Sequence, residues 1–176
     1  DFENMGIAVI CCYDFETDQY RVFQKDNLNK FSELLIKFKK VLLGYNNFAF
    51  DNHLLQVNNL FIPNTYDLLS AIWVSKGIGK DFVYPASLGV GLDAMDKANG
   101  GMGKPRDMDG LTAAIGWQQG KYGEVIDYCL NDVYMTKRLL ERSLEEPLVL
   151  PTGDFLTVDV FNPVPDQMFL GLSDEP

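Results

Sequence analysis

The hydrophobic and polar positions along the chain predict strands that are followed by helices. Residues 7–13, IAVICCY, form a continuous apolar run that is typical of a buried strand. Residues 19–23 alternate after a polar turn, so residues 7–23 predict a β-hairpin. Apolar residues at helical spacing predict a helix over 28–40, and residues 41–45 predict a short buried strand that ends at Gly44.

The rest of the chain continues the alternation of strand and helix, which predicts an α/β fold. A short strand is expected near Asn64–Tyr66, and loops are expected over 77–86 and 101–110. One domain is predicted for residues 1–146, whereas residues 147–176 predict a small hairpin and a loose tail from Pro163, whose role the sequence does not indicate. The predicted helices of this part are 51–60, 68–75, 92–99, 111–120 and 121–145.

The helix at 121–145 carries the strongest pattern. Ile126, Cys129, Val133 and Leu140 form one apolar stripe, which we expect to face the core. Tyr128 and Asp132 are four positions apart and therefore project from one helix face. We expect that face to be offset from the apolar stripe.

Composition and charge exclude some of the functions that an α/β protein can have. The chain has 176 residues, 47% of them hydrophobic, and a net charge of −10. Binding of nucleic acid by bulk attraction is excluded, because phosphate contact requires local cations. No apolar run is long enough to span a membrane. Three cysteines without a disulfide pattern indicate an intracellular protein, and we expect a cytoplasmic location.

Two segments offer candidate chemistry. Asp51 follows the buried strand at 41–45, and strand ends are where α/β sheets bind ligands. Asp51 could equally be a helix cap. Tyr128 and Asp132, stacked one turn apart, could hold a metal ion and position its water, although a solvated helix face is also common.

These segments resemble the DEDD family of 3′–5′ exonucleases, which has the ribonuclease H-like fold. NNFAFD, at 46–51, is similar to the second motif of the family, and Tyr128-x-x-x-Asp132 is similar to the third motif in its tyrosine (DEDDy) form. The segments YDLLSAIW, LDAMDKANGGMGK and WQQGKYGEVIDYCLNDVYMTKRLL more closely resemble a microbial branch related to the proofreading domains of family B polymerases. The resemblance covers Met5 to Glu145.

The resemblance implies a nuclease with two Mg²⁺ or Mn²⁺ ions that acts on nucleic acid with a 3′ end. Asp51 and Asp132 would be metal ligands, and Tyr128 would orient the attacking water. Lys104 would contact a backbone phosphate, although an exposed lysine without a partner is equally compatible with the sequence. The residues implied in contact with the terminal nucleotide are Asn46 or Asn47 and Phe50.

A further Asp-x-Glu stands at Asp14-Phe15-Glu16, the spacing of the first motif of the family. Too few residues separate Asp14 from Asp51 to hold the two strands and the helix that the family places between its first two motifs. We therefore expect Asp14 and Glu16 in the exposed turn of the hairpin, remote from Asp51 and Asp132. The first strand of the mixed sheet and its Asp-x-Glu are expected before Asp1.

Without that first pair, the sequence predicts a fragment or an inactive form of a nuclease, with little hydrolysis in Mg²⁺. A different class of protein is a non-catalytic module that keeps the fold and binds nucleic acid or protein. An unrelated α/β domain with coincidental motifs is a third alternative.

Overall fold

A computed structural model of the chain describes residues 3, 5–60, 62, 64–78 and 88–160, and it has a mixed α/β architecture. Most of the loop expected over 77–86 and the expected tail from Pro163 lie outside the described residues. The strands are β1 (Val9–Asp14), β2 (Gln19–Gln24), β3 (Leu42–Gly44), β4 (Thr65–Asp67), β5 (Leu148–Val149) and β6 (Phe155–Leu156). The helices are α1 (Leu28–Lys37), α2 (Asp51–Val57), α3 (Leu68–Ser75), α4 (Leu92–Ala98), α5 (Gly110–Gln118) and α6 (Tyr122–Glu145).

Within the described residues, the strands pair two by two. The predicted hairpin is present as the antiparallel pair β1–β2, in which Val9 lies opposite Gln24. Strands β3 and β4 run parallel, with Leu42 opposite Thr65, and β5 pairs with β6 in antiparallel fashion. The resemblance implied one continuous mixed sheet. In the described part of the chain, the strands instead form separate two-stranded ladders.

Strand β1 packs against a helix on each of its two faces, since successive side chains of a strand point to opposite sides. Ile10 and Cys12 pack in a cluster with Phe31 of α1. Val9, on the opposite face, packs in a cluster with Tyr128 of α6. The strand thus connects α1 with the helix that carries two of the predicted site residues.

The largest cluster joins α3, α4, α6 and β5. Leu68, Ile72, Met95, Leu139 and Leu148 are each at most 1% exposed. Burying a side chain of this size stabilises a fold by roughly 1.5–3 kcal/mol. Because this cluster contains Leu148 and Leu150 and packs against Leu156, the C-terminal hairpin belongs to the same core as α3 and α6.

The predicted apolar stripe of α6 was partly wrong. Ile126, Cys129 and Val133 are only half-buried, whereas Tyr128 is buried. The fully buried positions are Val125, Tyr128, Met135, Leu139 and Leu140. The contacts of α6 with β1, α4, α5 and β5 instead bury the stripe of Val125, Tyr128, Met135 and Leu139, which lies beside the predicted one on the helix surface.

Candidate functional site

The turn between β3 and α2 is positioned by one buried carboxylate. Asp67, at the end of β4, is 3% exposed and accepts the backbone N–H groups of Asn46 (2.8 Å) and Phe48 (3.0 Å). It also caps α3 by accepting the N–H groups of Leu69 and Ser70. Burial raises the pKa of Asp67, and the N–H donors act in the opposite direction. Such donors are required because a buried carboxylate without them would be strongly destabilising.

The sequence around this turn fits its geometry. Asn46 has a left-handed φ of 68°, which asparagine tolerates better than most residues. A Cβ atom at Gly44 would lie 2.7 Å from the side chain of Asn47, so only glycine fits there. Asn47 is 2% exposed, and its amide nitrogen donates to Asn52 at 3.4 Å. The surface open to a ligand at this turn is therefore provided by Asn46 and Phe50, while Asn47 is enclosed.

Asp51 is the first residue of α2, and part of its surface is open to solvent although protein atoms surround its carboxylate. Desolvation by the surrounding protein raises its pKa to about 6, and the charges of Asp67 and Asp132 add to the effect. Among these charges, that of Asp132 makes the smallest contribution to the raised pKa of Asp51. A cation bound at Asp51 would favour its ionised form.

A hydrogen-bonded group joins Tyr128 and Asp132 of α6 to Lys104, which lies in the loop between α4 and α5. The ammonium Nζ of Lys104 donates to Oδ2 of Asp132 at 2.8 Å and to the hydroxyl oxygen of Tyr128 at 3.1 Å. It also lies 5.0 Å from the centre of the Tyr128 ring. Lys104 is therefore not the exposed, partnerless lysine that the sequence allowed as an alternative.

The two partners of this ion pair respond differently to their surroundings. Burial would lower the pKa of Lys104, but the hydrogen bonds to Asp132 and Tyr128 outweigh it and raise that pKa. Burial raises the pKa of Asp132, and Lys104 opposes this change without cancelling it. Oδ1 of Asp132 is buried and has no hydrogen-bond partner among the described residues. Asp132 therefore keeps one acceptor atom that no described donor satisfies.

Of Asp14 and Glu16, only Glu16 lies in the exposed turn where both residues were expected. Glu16 is in the exposed turn, but Asp14 is the last residue of β1 and is 8% exposed, so the expectation of an exposed Asp14 was wrong. Asp14 pairs with Lys40 at 2.7 Å and with Arg21 at 3.3 Å. The hydrogen bond from Lys40 is the main reason that its pKa falls to about 2.

The direction of Asp14 follows from the alternation of β1. Its side chain is on the same face as Ile10 and Cys12, which pack with α1, whereas Asp132 belongs to α6 on the other face. The carboxylate of Asp14 already pairs with two cations, so its oxygens are poorly placed to bind a metal ion as well. Asp14 therefore stabilises the hairpin instead of joining the group around Asp132.

Some residues that matter here were missed by the sequence interpretation. Asp67 could have been found, because an aspartate directly before a predicted helix is a typical cap. A second Asp-x-Glu, Asp1-Phe2-Glu3, stands directly upstream of the hairpin and shows the spacing of the first motif. Glu3 is described and exposed, whereas Asp1 and Phe2 lie outside the described residues.

The donor set fits a hard divalent cation in part. The free Oδ1 of Asp132 and the carboxylate of Asp51 are oxygen ligands of the kind that Mg²⁺ and Mn²⁺ prefer. The described residues do not contain a group of three or more side chains able to hold a metal ion. The fit is thus to half of a two-ion centre, and further carboxylates are needed to complete it.

No protein-family model, curated protein or solved structure matched this chain. Within the part of the chain that the structure describes, none of the helices combines the length and the apolar character needed to cross a membrane. The fold and site together define a mixed α/β protein in which a carboxylate, a tyrosine and a lysine form a hydrogen-bonded group.

Proposed function

We propose that this chain is a DEDDy-type 3′–5′ exonuclease domain that hydrolyses phosphodiester bonds in nucleic acid. The observation that carries the proposal is the hydrogen-bonded group of Asp132, Tyr128 and Lys104, which accompanies Asp51 at the start of the helix after a parallel strand. Their order along the chain is that of the second and third motifs of the family.

The ribonuclease H-like sheet is part of this proposal. Ile10 and Cys12 of β1 pack in the same cluster as Leu42 of β3, although the described residues contain no ladder between the two strands. A further strand between β1 and β3 would join the two ladders into one mixed sheet. This strand would lead directly into the segment before β1.

Asp1 and Glu3 are the proposed first carboxylate pair. They precede the hairpin, and the hairpin precedes α1 and the strand before Asp51, which is the chain order that the family requires. Asp14 ends β1 and Glu16 lies in the turn before β2, so this pair is inside the hairpin and cannot satisfy this order. With Asp1 and Glu3, the expectation of an inactive chain is replaced by the expectation of a complete set of carboxylates.

The proposed metal ligands are Asp1, Glu3, Asp51 and Asp132. Two Mg²⁺ or Mn²⁺ ions, when bound, activate water and stabilise the leaving oxygen in this class of hydrolysis. The hydroxyl of Tyr128 is held by Lys104 and is available to orient water. Asn46 and Phe50 offer contacts to the terminal nucleotide, and Lys104 offers a charge to a phosphate.

The test uses 5′-labelled single-stranded DNA and RNA with Mg²⁺ or Mn²⁺. Asp1→Asn with Glu3→Gln should abolish stepwise shortening from the 3′ end, and Asp14→Asn with Glu16→Gln, which removes the same charges, should retain it. Loss of activity only in the second double variant would overturn the proposed assignment. No shortening by the unmodified protein, in either metal and on either substrate, would overturn the proposed enzyme.

A second candidate function is a non-catalytic module that binds nucleic acid. It is favoured by one observation, the neutralisation of Asp132 by Lys104, because an ion pair of this kind reduces the need for a metal ion. Binding of a 3′-ended oligonucleotide in the presence of EDTA, without hydrolysis after Mg²⁺ is added, would support this module over the enzyme.

A further inference from the structure

The loop that carries Lys104 is anchored to two helices. The backbone N–H of Lys104 donates to Asp93 of α4 at 2.6 Å, and that of Gly103 donates to Asp96 at 3.0 Å. Asp96 is 2% exposed and pairs with Arg138 of α6 at 2.6 Å. The loop is therefore fixed on both sides, so the position of Lys104 does not depend on its own side-chain contacts alone.

The ammonium of Lys104 takes a ligand position at Asp132. Its contacts with Oδ2 of Asp132 and with the Tyr128 hydroxyl use two of its three N–H donors. Only Oδ1 of Asp132 is left for another cation among the described contacts. A divalent ion on Oδ1 would lie close to a positive charge that already neutralises the same carboxylate, and like charges at such range oppose one another.

We propose that Lys104 is a built-in competitor of divalent cations at Asp132. Ion binding at Asp132 then requires the ammonium to withdraw from Oδ2, so the lysine lowers the affinity of the site for the metal. This inference deepens the proposed function, on which it rests for the choice of Asp132 as a metal ligand. It concerns metal affinity, which is measured without any hydrolysis.

The experiment measures the binding of Mn²⁺ alone to the purified protein at pH 7, by isothermal titration calorimetry and by electron paramagnetic resonance. Lys104→Met removes the ammonium and keeps an unbranched side chain. Lys104→Gln is a second neutral variant, which retains a hydrogen-bond donor. Lys104→Arg keeps the charge. Lys137→Met, which removes the same charge from a half-buried lysine paired with Glu141 on α6, is the matched control.

Lys104→Met and Lys104→Gln should each bind Mn²⁺ about tenfold more tightly than the unmodified protein, because a positive charge next to the ligand is lost. Lys104→Arg should remain weak, and Lys137→Met should stay within about twofold, since Lys137 pairs with Glu141 and Lys104 with Asp132. Adding Asp132→Asn to either neutral variant should remove the gain. Far-UV circular dichroism shows which variants are folded, and either neutral variant suffices.

Equal Mn²⁺ affinity in the folded neutral variants and in Lys137→Met would overturn the inference. A gain that persists after Asp132→Asn would overturn it as well, because the ion would then bind elsewhere. Either result leaves the exonuclease proposal standing if 3′ shortening is observed. Conversely, a gain in Mn²⁺ affinity in a protein that hydrolyses nothing supports the competition and contradicts only the proposed enzyme.

Discussion

Oδ1 of Asp67 accepts the backbone N–H of Asn46 over 2.8 Å, and this bond ties the end of β4 to the turn that precedes α2. The other carboxylate oxygen accepts the N–H of Phe48 at 3.0 Å. Because Asp51 begins the helix after this turn, its position depends on a carboxylate that takes no part in the proposed chemistry. Asp67 is in this sense a positioning residue for the site.

Asp67→Ala should lower the free energy of unfolding by about 3 kcal/mol, because buried N–H groups lose an ionised acceptor. Chemical denaturation with urea measures the change. The control is Asp109→Ala, at the exposed cap of α5, where Asp109 accepts the N–H of Thr112. Loss of that cap should cost about 1 kcal/mol. Equal losses in the two variants would contradict the special role assigned to Asp67.

Gly101→Ala should destabilise the loop that carries Lys104. A Cβ atom at Gly101 would collide with the side chains of Asp96 and Arg138, whose ion pair anchors this loop. We expect a loss of about 1–3 kcal/mol in the free energy of unfolding, as for other overpacked sites.

The matched control for Gly101 is Gly123→Ala in α6, where an added Cβ would meet nothing within 4 Å. Alanine should stabilise that helix by about 0.5–1 kcal/mol relative to glycine. Opposite signs for the two Gly→Ala changes in thermal denaturation are the expected outcome. A stabilising effect of Gly101→Ala would show that the side chains of Asp96 and Arg138 can move aside without cost.

Asp14 should make stability depend on pH in the acid range. Its pKa in the folded protein is about 2, below the value of about 3.9 in unfolded chains. Ionised Asp14 therefore stabilises the fold above about pH 4, and this contribution is lost as the pH falls from about 4 to about 2.

Asp14→Asn should cost roughly 1–2 kcal/mol at pH 7, and the difference from the unmodified protein should vanish near pH 2. Urea denaturation across this pH range measures both. Glu16→Gln, which changes a carboxylate that is 71% exposed at its side chain, is the control and should have little effect at either pH. A constant penalty for Asp14→Asn at all pH values would mean that the ion pairs with Lys40 and Arg21 are not its cause.

Tyr128→Phe and Asp132→Asn should affect hydrolysis to different extents. Tyr128→Phe removes only the hydroxyl that Lys104 holds, so we expect kcat to fall about tenfold to a hundredfold. Asp132→Asn removes a proposed metal ligand and should reduce kcat by more than about a thousandfold. Single-turnover shortening of a labelled oligonucleotide measures both rates. Wild-type rates for both variants would exclude these residues from catalysis.

The local pattern of the sequence determined the elements. The alternation over 7–23 predicted the hairpin, and the helical spacing predicted α1, α3 and α6 near their observed bounds. The pairs that the sequence placed together, such as Tyr128 and Asp132, are close because four positions make one helical turn. These features depend on neighbours in the chain, so the sequence contains the information needed to find them.

Contacts between distant segments were decided only by the tertiary structure. The sequence left Lys104 without a partner, and packing of its loop on α4 and α6 brought it to Asp132. Asp14 was expected in solvent, but the segment between α1 and β3 brings Lys40, 26 positions away in the chain, into contact with it. The burial of Tyr128 likewise followed from the docking of β1 and α5 on α6. Such contacts depend on how helices dock, and docking is set by the whole core instead of by any one periodic segment.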